Sequence, residues 1–167
     1  RGVDRVQRES VRSPGAVWGD LLDRLRGLDG LLVNLECCLS DRGTPWSLTY
    51  HPFHFRADPA WAVPALTAAG VDCCSLANNH LLDYGADALL DTLDALDGAG
   101  IARTGAGRTR EAAWRPARWS FDGLDVAVVA FTDNTPEFAA EPDSPGTAYA
   151  PIDVRDAAVR RRVRDAL

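Results

Sequence analysis

Two short apolar runs in this chain end the same way, and that constrains its fold more than any other feature. Val71-Asp72-Cys73-Cys74-Ser75-Leu76-Ala77 gives way to Asn78-Asn79-His80, and Leu31-Leu32-Val33 gives way to Asn34-Leu35-Glu36. A short apolar run bounded by turn residues reads as a buried strand, and in open α/β sheets ligands collect at the carboxyl ends of strands. Each run therefore delivers an amide, an imidazole or a carboxylate to a place where ligands bind. Set side by side, the two ends look like half of a metal site.

The segments between fit an α/β class, a mixed sheet layered with helices. Ala16 to Leu28 carries Val17, Leu21, Leu22, Leu25 and Leu28 at helical spacing and stops at Asp29-Gly30, so it reads as a helix feeding the strand at Leu31. Pro59 to Ala69 starts on proline and stops at Gly70, with Pro64 predicting a kink. Gly85 to Ala99 repeats Leu89, Leu90, Leu93 and Leu96 on one face and closes at Gly98 and Gly100, before a short strand at Ile101-Ala102. Arg118 to Phe121 and Leu124 to Phe131 flank Asp122-Gly123, a dipeptide suited to a two-residue hairpin turn, which makes the sheet mixed. The unbroken apolar run Val126 to Phe131 predicts a strand covered on both faces. Asp153 to Leu167 predicts a helix whose Arg160, Arg161, Arg162 and Arg164, interleaved with Asp156 and Asp165, read as a solvated face rather than a binding patch. Long loops at Ser40 to Asp58 and Thr132 to Tyr149 leave strand ends, where function tends to sit.

With 167 residues, 46% apolar and 25% charged, the chain can bury the core of one domain. Its net charge of −6 argues against nucleic acid as a partner, and an anionic polymer would need a locally basic site. The chain begins at Arg1, contains no Met and stops inside a helical pattern, so residues 1–167 read as a single domain incomplete at both ends. Signals at the missing ends would be lost with them, and the compartment stays open. Cysteines come as adjacent pairs, Cys37-Cys38 and Cys73-Cys74, which matches neither a metal knuckle nor a spaced disulfide framework. They read as small buried hydrophobes in two neighbouring strands, with a redox or metal role as the alternative.

A hydrolytic metal cluster needs oxygen and imidazole ligands on rigid elements and a group near the reacting oxygen. Glu36 has the reach to bridge two metals, Asn79 offers an amide oxygen, and His80 can move a proton at neutral pH. Asp83, three residues after His80, can orient that ring. Plainer readings stand beside these: Asn78 and Asn79 satisfying a turn, Asp83 capping the helix near Gly85, and His80 bonded to a backbone carbonyl. Arg56 would neutralise a phosphate or carboxylate, with a surface salt bridge as its alternative. His51 and His54 form an H-x-x-H interrupted by Pro52, read as loop packing beside Phe53 and Phe55 rather than as metal ligands. Gly105-Ala106-Gly107 lacks the third glycine of a dinucleotide loop.

The joint pattern resembles the CapA-like family of poly-gamma-glutamate capsule biosynthesis proteins, a branch similar to the calcineurin-type metallophosphoesterases. Ala69-Gly70-Val71-Asp72, Ser75 to His80, Asp83-Tyr84-Gly85 and Asp91-Thr92-Leu93 follow the family signature in order and spacing, and Gly105-Ala106-Gly107 with Glu111-Ala112 continues it. Arg1-Gly2-Val3-Asp4, Asn34-Leu35-Glu36 and Phe53-His54-Phe55-Arg56 resemble its flanking motifs. The resemblance implies a four-layer α/β/β/α metallophosphatase-like fold and a divalent metal site, two ions of manganese, iron or zinc. It makes Glu36, Asn34 and Asn79 metal ligands and His80 the group over the scissile bond with Asp83 behind it; Arg56 and Asn78 are expected beside them as substrate-binding residues. An opening Gly-Asp before Arg1 and histidine motifs beyond Leu167 are absent from the chain, which leaves only the middle of the site. The implied activity is hydrolysis of a phosphoester or an anionic polymer within a capsule-synthesis membrane complex. The competing readings are a non-catalytic polymer-handling or assembly factor and a metal enzyme acting on a peptide bond or α-carbon.

Overall fold

A computed structural model describes Gln7, residues 13–151 and residues 155–166. A 3-10 segment, Pro14–Leu21, and a short helix α1 (Leu22–Arg26) lead into β1 (Leu32–Asn34), and β2 (Cys38–Leu39) and β3 (Arg56–Ala57) bracket a long loop. Helix α2 (Pro59–Ala69), β4 (Cys73–Ser75), α3 (Gly85–Gly98) and β5 (Ala102–Thr104) follow. Then come β6 (Ala106–Gly107), α4 (Arg110–Ala113), β7 (Ala117–Phe121), β8 (Leu124–Val128), a 3-10 turn at Pro136–Phe138, β9 (Gly146–Thr147) and α5 (Ala157–Ala166).

The parallel sheet β1-β4-β5 sets the site. Asp72 fixes its register by accepting a 2.7 Å hydrogen bond from the Leu31 amide, which aligns Leu32 with Cys73 and Asn34 with Ser75. The Asn34 and Ser75 ends therefore leave the sheet at one level, so Glu36 and His80 descend from adjacent strands. Parallel neighbours need crossover connections, supplied here by α2 and α3. Helix α3 turns Leu89, Leu93 and Leu96 fully inward, where they meet Leu66, Val71, Cys74, Leu76 and Ile101. Each such side chain contributes roughly 1.5–3 kcal/mol of burial.

The long loop after β2 is tied to α3 through two adjacent residues. Thr92 receives the Leu39 amide at 2.8 Å and donates to the Ala88 carbonyl at 2.7 Å, all of it buried. Asp91 accepts from the Ser40 hydroxyl at 2.6 Å and from the Arg42 guanidinium, which holds the Asp91 carboxyl below its ordinary range. Short strand β3 lies inside the stretch expected to be loop and pairs in parallel with β2, which ends just before it.

Several expectations need adjustment. The segment expected as a helix over Ala16 to Leu28 is a 3-10 stretch followed by five α-helical residues, because Gly19 at φ 53°, ψ −135° breaks the helical run. Helix α2 is assigned without interruption through Pro64. The hairpin turns at Asp122 (φ 45°) and Gly123 (φ 79°), both left-handed as a two-residue turn requires. It stands as a sheet of its own, so parallel and antiparallel pairing are distributed over separate small sheets. Val126 to Phe131 is half-exposed rather than covered on both faces, because β8 pairs with β7 alone and one face of that hairpin meets solvent. Arg1 to Asp4, Asp153 and Leu167 lie outside the described residues. No described helix is long and apolar enough to cross a membrane.

All four cysteines are free, and Cys38, Cys73 and Cys74 are fully buried, though Cys38 lies in β2 and not in the sheet of β4. Burial pushes the Cys38 and Cys74 thiols up to about 12 and Cys73 up to about 11. The folded state thus resists thiolate formation, whereas the unfolded chain ionises near 9. Above that pH the unfolded state binds fewer protons, so stability falls as pH rises. Chemical denaturation between pH 7 and 10.5 is expected to show a stability plateau to about 8.5 and a decline beyond it, a decline that replacing Cys74 with Ala reduces. Thr92→Val, which orphans the buried Leu39 amide, is expected to cost about 1–3 kcal/mol in the same measurement.

Candidate functional site

Asp83 is completely buried, and its carboxylate gathers the site. Oδ1 lies 2.6 Å from His51 Nε2, Oδ2 lies 2.8 Å from His80 Nδ1, and the Phe55 amide also donates to Oδ2. A buried carboxylate is tolerated when donors reach both of its oxygens, and here three donors do. An Asp83 oxygen that accepts at Nδ1 leaves Nε2 as the His80 ring nitrogen not engaged with Asp83. Phe55 packs against the His80 ring at a tilt of 32°, with centroids 4.2 Å apart, which restricts the ring's rotation. Asp83 is not a helix cap: Tyr84 holds that position, without a side-chain bond. His51, His80 and Asp83 place one ligand atom each within 4.8 Å of one another, a grouping able to hold a metal ion.

A relay of amides joins the two strand ends. Glu36 Oε2 accepts from Asn34 Nδ2 at 3.3 Å, Asn34 Oδ1 accepts from Asn78 Nδ2 at 3.1 Å, and Asn78 Oδ1 accepts from the His80 amide at 3.0 Å. Asn78 thus holds the turn that aims His80, a structural role consistent with the plainer reading of that residue. Among the described residues the Asn79 side chain has no protein hydrogen-bond partner, and Glu36 is exposed with Oε1 unbonded. Arg56 lies over the Tyr84 ring at 4.3 Å.

Tyr50, His51, Phe53, Asn79, His80 and Glu137 line a cavity of about 370 Å³. Glu36, Asn34, Arg56 and Asn78 stand outside that lining. Glu137 arrives from the loop after β8, where Thr135 sits at φ 58°, an unfavourable left-handed conformation for a β-branched residue. Fully buried Phe138 anchors that turn, packing edge-on against Trp46 at 4.9 Å and against His51 at 5.6 Å. Thr49 donates to Glu137 at 2.6 Å and holds its carboxyl below the usual range. His51 and Glu137 were not expected in the site. The H-x-x-H in the loop after Glu36 was the available signal for His51; nothing in the sequence pointed to Glu137, whose partner is 88 residues away.

The description "Bacterial capsule synthesis protein PGA_cap" belongs to a family that matches residues 1–166. The chain belongs to that family. Its curated relatives include a "Probable polyglutamine synthesis accessory protein" of Mycobacterium tuberculosis, 39% identical over 136 residues, covering 77% of this chain and 35% of that protein. "Capsule biosynthesis protein CapA" of Bacillus anthracis is 37% identical over 71 residues, 42% of this chain and 17% of that protein. The chain thus spans about a third of the length of the mycobacterial relative. As a PGA_cap chain it presents oxygen and imidazole donors at the carboxyl edge of a parallel sheet, chemistry of the kind a metal ion can use. Its fully buried cysteines, with their raised pKa values, are poorly placed to serve as thiolate ligands.

Asp83→Asn removes the shared acceptor and sets an amide N–H against one imidazole. The His80 ring is then expected to lose its fixed Nδ1–H tautomer, seen in long-range nitrogen–proton NMR correlations, with about 2–3 kcal/mol lost in denaturation.

Proposed function

We propose that this chain carries the metal-binding core of a hydrolase in capsule biosynthesis, part of a four-layer α/β/β/α domain in a longer protein. It would act on a phosphoester or related bond of an anionic substrate. The observation that carries this reading is the pairing of His80 with fully buried Asp83 beside a cavity that also receives Asn79. A histidine backed by a carboxylate is a competent proton donor at a leaving oxygen or acceptor from water.

Glu36, Asn34 and Asn79 would hold the metal, two ions on this reading. The donor chemistry fits: Glu36 has a free oxygen, Asn79 a free amide, and Asn34 Oδ1 retains one lone pair beside its bond to Asn78. When bound, such ions supply Lewis-acid polarisation and lower the pKa of water. His80 Nε2 exchanges the proton, and Asp83 keeps the ring in one tautomer and stabilises its charged form. His51, on the other Asp83 oxygen, shares that carboxylate and closes the cavity wall. The names of the relatives support capsule biosynthesis or polyglutamine synthesis as the setting; the partner on this reading would be a capsule-synthesis membrane complex of the longer protein.

One observation favours a second reading, a metal enzyme acting on a peptide bond or α-carbon. Among the described residues the cavity lining contains no arginine or lysine, so a phosphate there would find no permanent cation besides bound metal. A non-catalytic assembly role remains the reading to adopt if no metal binds.

The test is elemental analysis of the longer protein that contains this chain, extended to its natural gene ends, purified without added metal and after loading with manganese or zinc. About two ions per chain, reduced in Glu36→Ala and Asn79→Ala, is the expected result; no metal in any sample overturns the proposal. His80→Ala is expected to retain metal while turnover of phosphoester or peptide substrates falls about 10²–10⁴-fold. Loss of the metal in that variant would instead make His80 a ligand.

A further inference from the structure

The cavity beside His80 has one wall whose chemistry the hydrolase reading leaves unused. Pro136–Phe138 folds as a 3-10 turn, closed by a 2.9 Å hydrogen bond from the Phe138 amide to the Thr135 carbonyl. Phe138 is fully buried, and its carbonyl accepts from the Thr147 hydroxyl at 3.2 Å. Thr135 enters the turn in the left-handed region, a conformation that costs a β-branched residue energy and persists only where its surroundings impose it. The turn is therefore held from both ends, and it sets Glu137 in the cavity lining. The Thr49 hydroxyl on Oε1 and Glu137's own amide hold that carboxylate ionised at neutral pH, and among the described residues no arginine pairs with it. Asn134 lines the same wall, its amide oxygen fixed by the Thr135 hydroxyl at 3.1 Å and left with a second lone pair.

Opposite in character, Tyr50 and Phe53 line this cavity while being 91% and 64% exposed. One exposed aromatic needs no explanation, but two on the rim of one cavity mark a binding surface. Phe53 lies nearly parallel to Phe55 with centroids 6.4 Å apart, and Phe55 packs on His80, so a row of rings leads from the rim to the reacting histidine. We propose that this wall recognises a primary ammonium group carried by the substrate next to the bond that is cut, with Glu137 as the residue that selects it. The inference deepens the hydrolase reading and rests on it for the place of reaction. An ammonium needs oxygen acceptors and a negative potential, and it is drawn to aromatic faces within about 6 Å. The wall offers an ionised carboxylate, an amide oxygen and two open rings, with no arginine or lysine among the described lining residues. A carboxylate or phosphate at this position would meet Glu137 as a like charge, and a neutral group would leave its charge unmatched. At about 370 Å³ the space lies near the lower end of the roughly 300–1,000 Å³ of small-molecule sites, room for a head group rather than for a polymer.

The test uses benzylammonium and benzyl alcohol, which have nearly the same size and differ in charge. Each is titrated by saturation-transfer NMR at physiological salt into the longer protein that contains this chain, after its metal has been chelated. Wild type is expected to bind benzylammonium about three- to tenfold more tightly than benzyl alcohol. Glu137→Gln, which keeps an acceptor for Thr49, is expected to bring that ratio to within about twofold. Asp133→Asn removes the same charge from an exposed position of the same loop, outside the lining, and is expected to keep the wild-type ratio. Circular dichroism checks folding. No preference in wild type, a preference that survives Glu137→Gln, or an equal loss in Asp133→Asn overturns the inference. So does loss of bound zinc from Glu137→Gln by elemental analysis, which would make that carboxylate a metal ligand. Metal binding without an ammonium preference sinks this inference and leaves the hydrolase reading standing, whereas the preference in a protein that binds no metal keeps the recognition and removes the hydrolysis.

Discussion

The buried carboxylate of Asp83 is the constraint on which the rest depends. An ionised carboxylate without water costs several kcal/mol unless donors reach both of its oxygens. Its donors come from two places: His80 in its own turn, and His51 and the Phe55 amide in the loop after β2. The backbone of Asp83 adds a further tie, accepting from the Trp46 amide at 2.8 Å. The long loop therefore cannot lift away without orphaning a buried charge, and the carboxylate cannot be removed without loosening the loop. Folding and site assembly are one event here, because the same hydrogen bonds serve both.

This coupling explains motif residues that carry no chemistry. Asp72 sets the strand register, Thr92 and Asp91 hold the start of the loop to α3, and Asn78 locks the turn before His80. Gly105 and Gly107 belong to the same class. A side chain at Gly105 would come within 2.7 Å of the Ala77 backbone, and one at Gly107 within 2.3 Å of the Ala113 amide. The glycines allow β5, β6 and α4 to close against the strand that ends in the site, which is a packing reason for a motif that superficially resembles a nucleotide loop.

Local pattern made much of this legible. Helices α2 and α3 follow from proline starts, glycine stops and leucine spacing, and the hairpin follows from Asp122-Gly123, because these signals are short-range. The strand ends carrying Glu36 and His80 were legible for the same reason. What escaped was long-range. His51 meets Asp83 across 32 residues, and Glu137 meets Thr49 across 88, contacts that no periodicity encodes. The segment before β1 misled because leucines at helical spacing say nothing of Gly19, whose backbone leaves the helical region. The arginine run reads as a solvated face and its four arginines are all exposed; what the run does not encode is the docking of Val159 and Val163 that holds the helix on a small core.

The electrostatic character of the cavity at His80 bears on how an anionic substrate would be handled. The cavity has a carboxylate, Glu137, at its edge and no fixed cation among its described lining residues, so by itself it repels polyanions. On the proposed hydrolase reading, a metal held beside the His80 cavity would offset that negative edge, so the cavity would meet an anionic substrate only when loaded, with the histidine–carboxylate pair left free to exchange a proton.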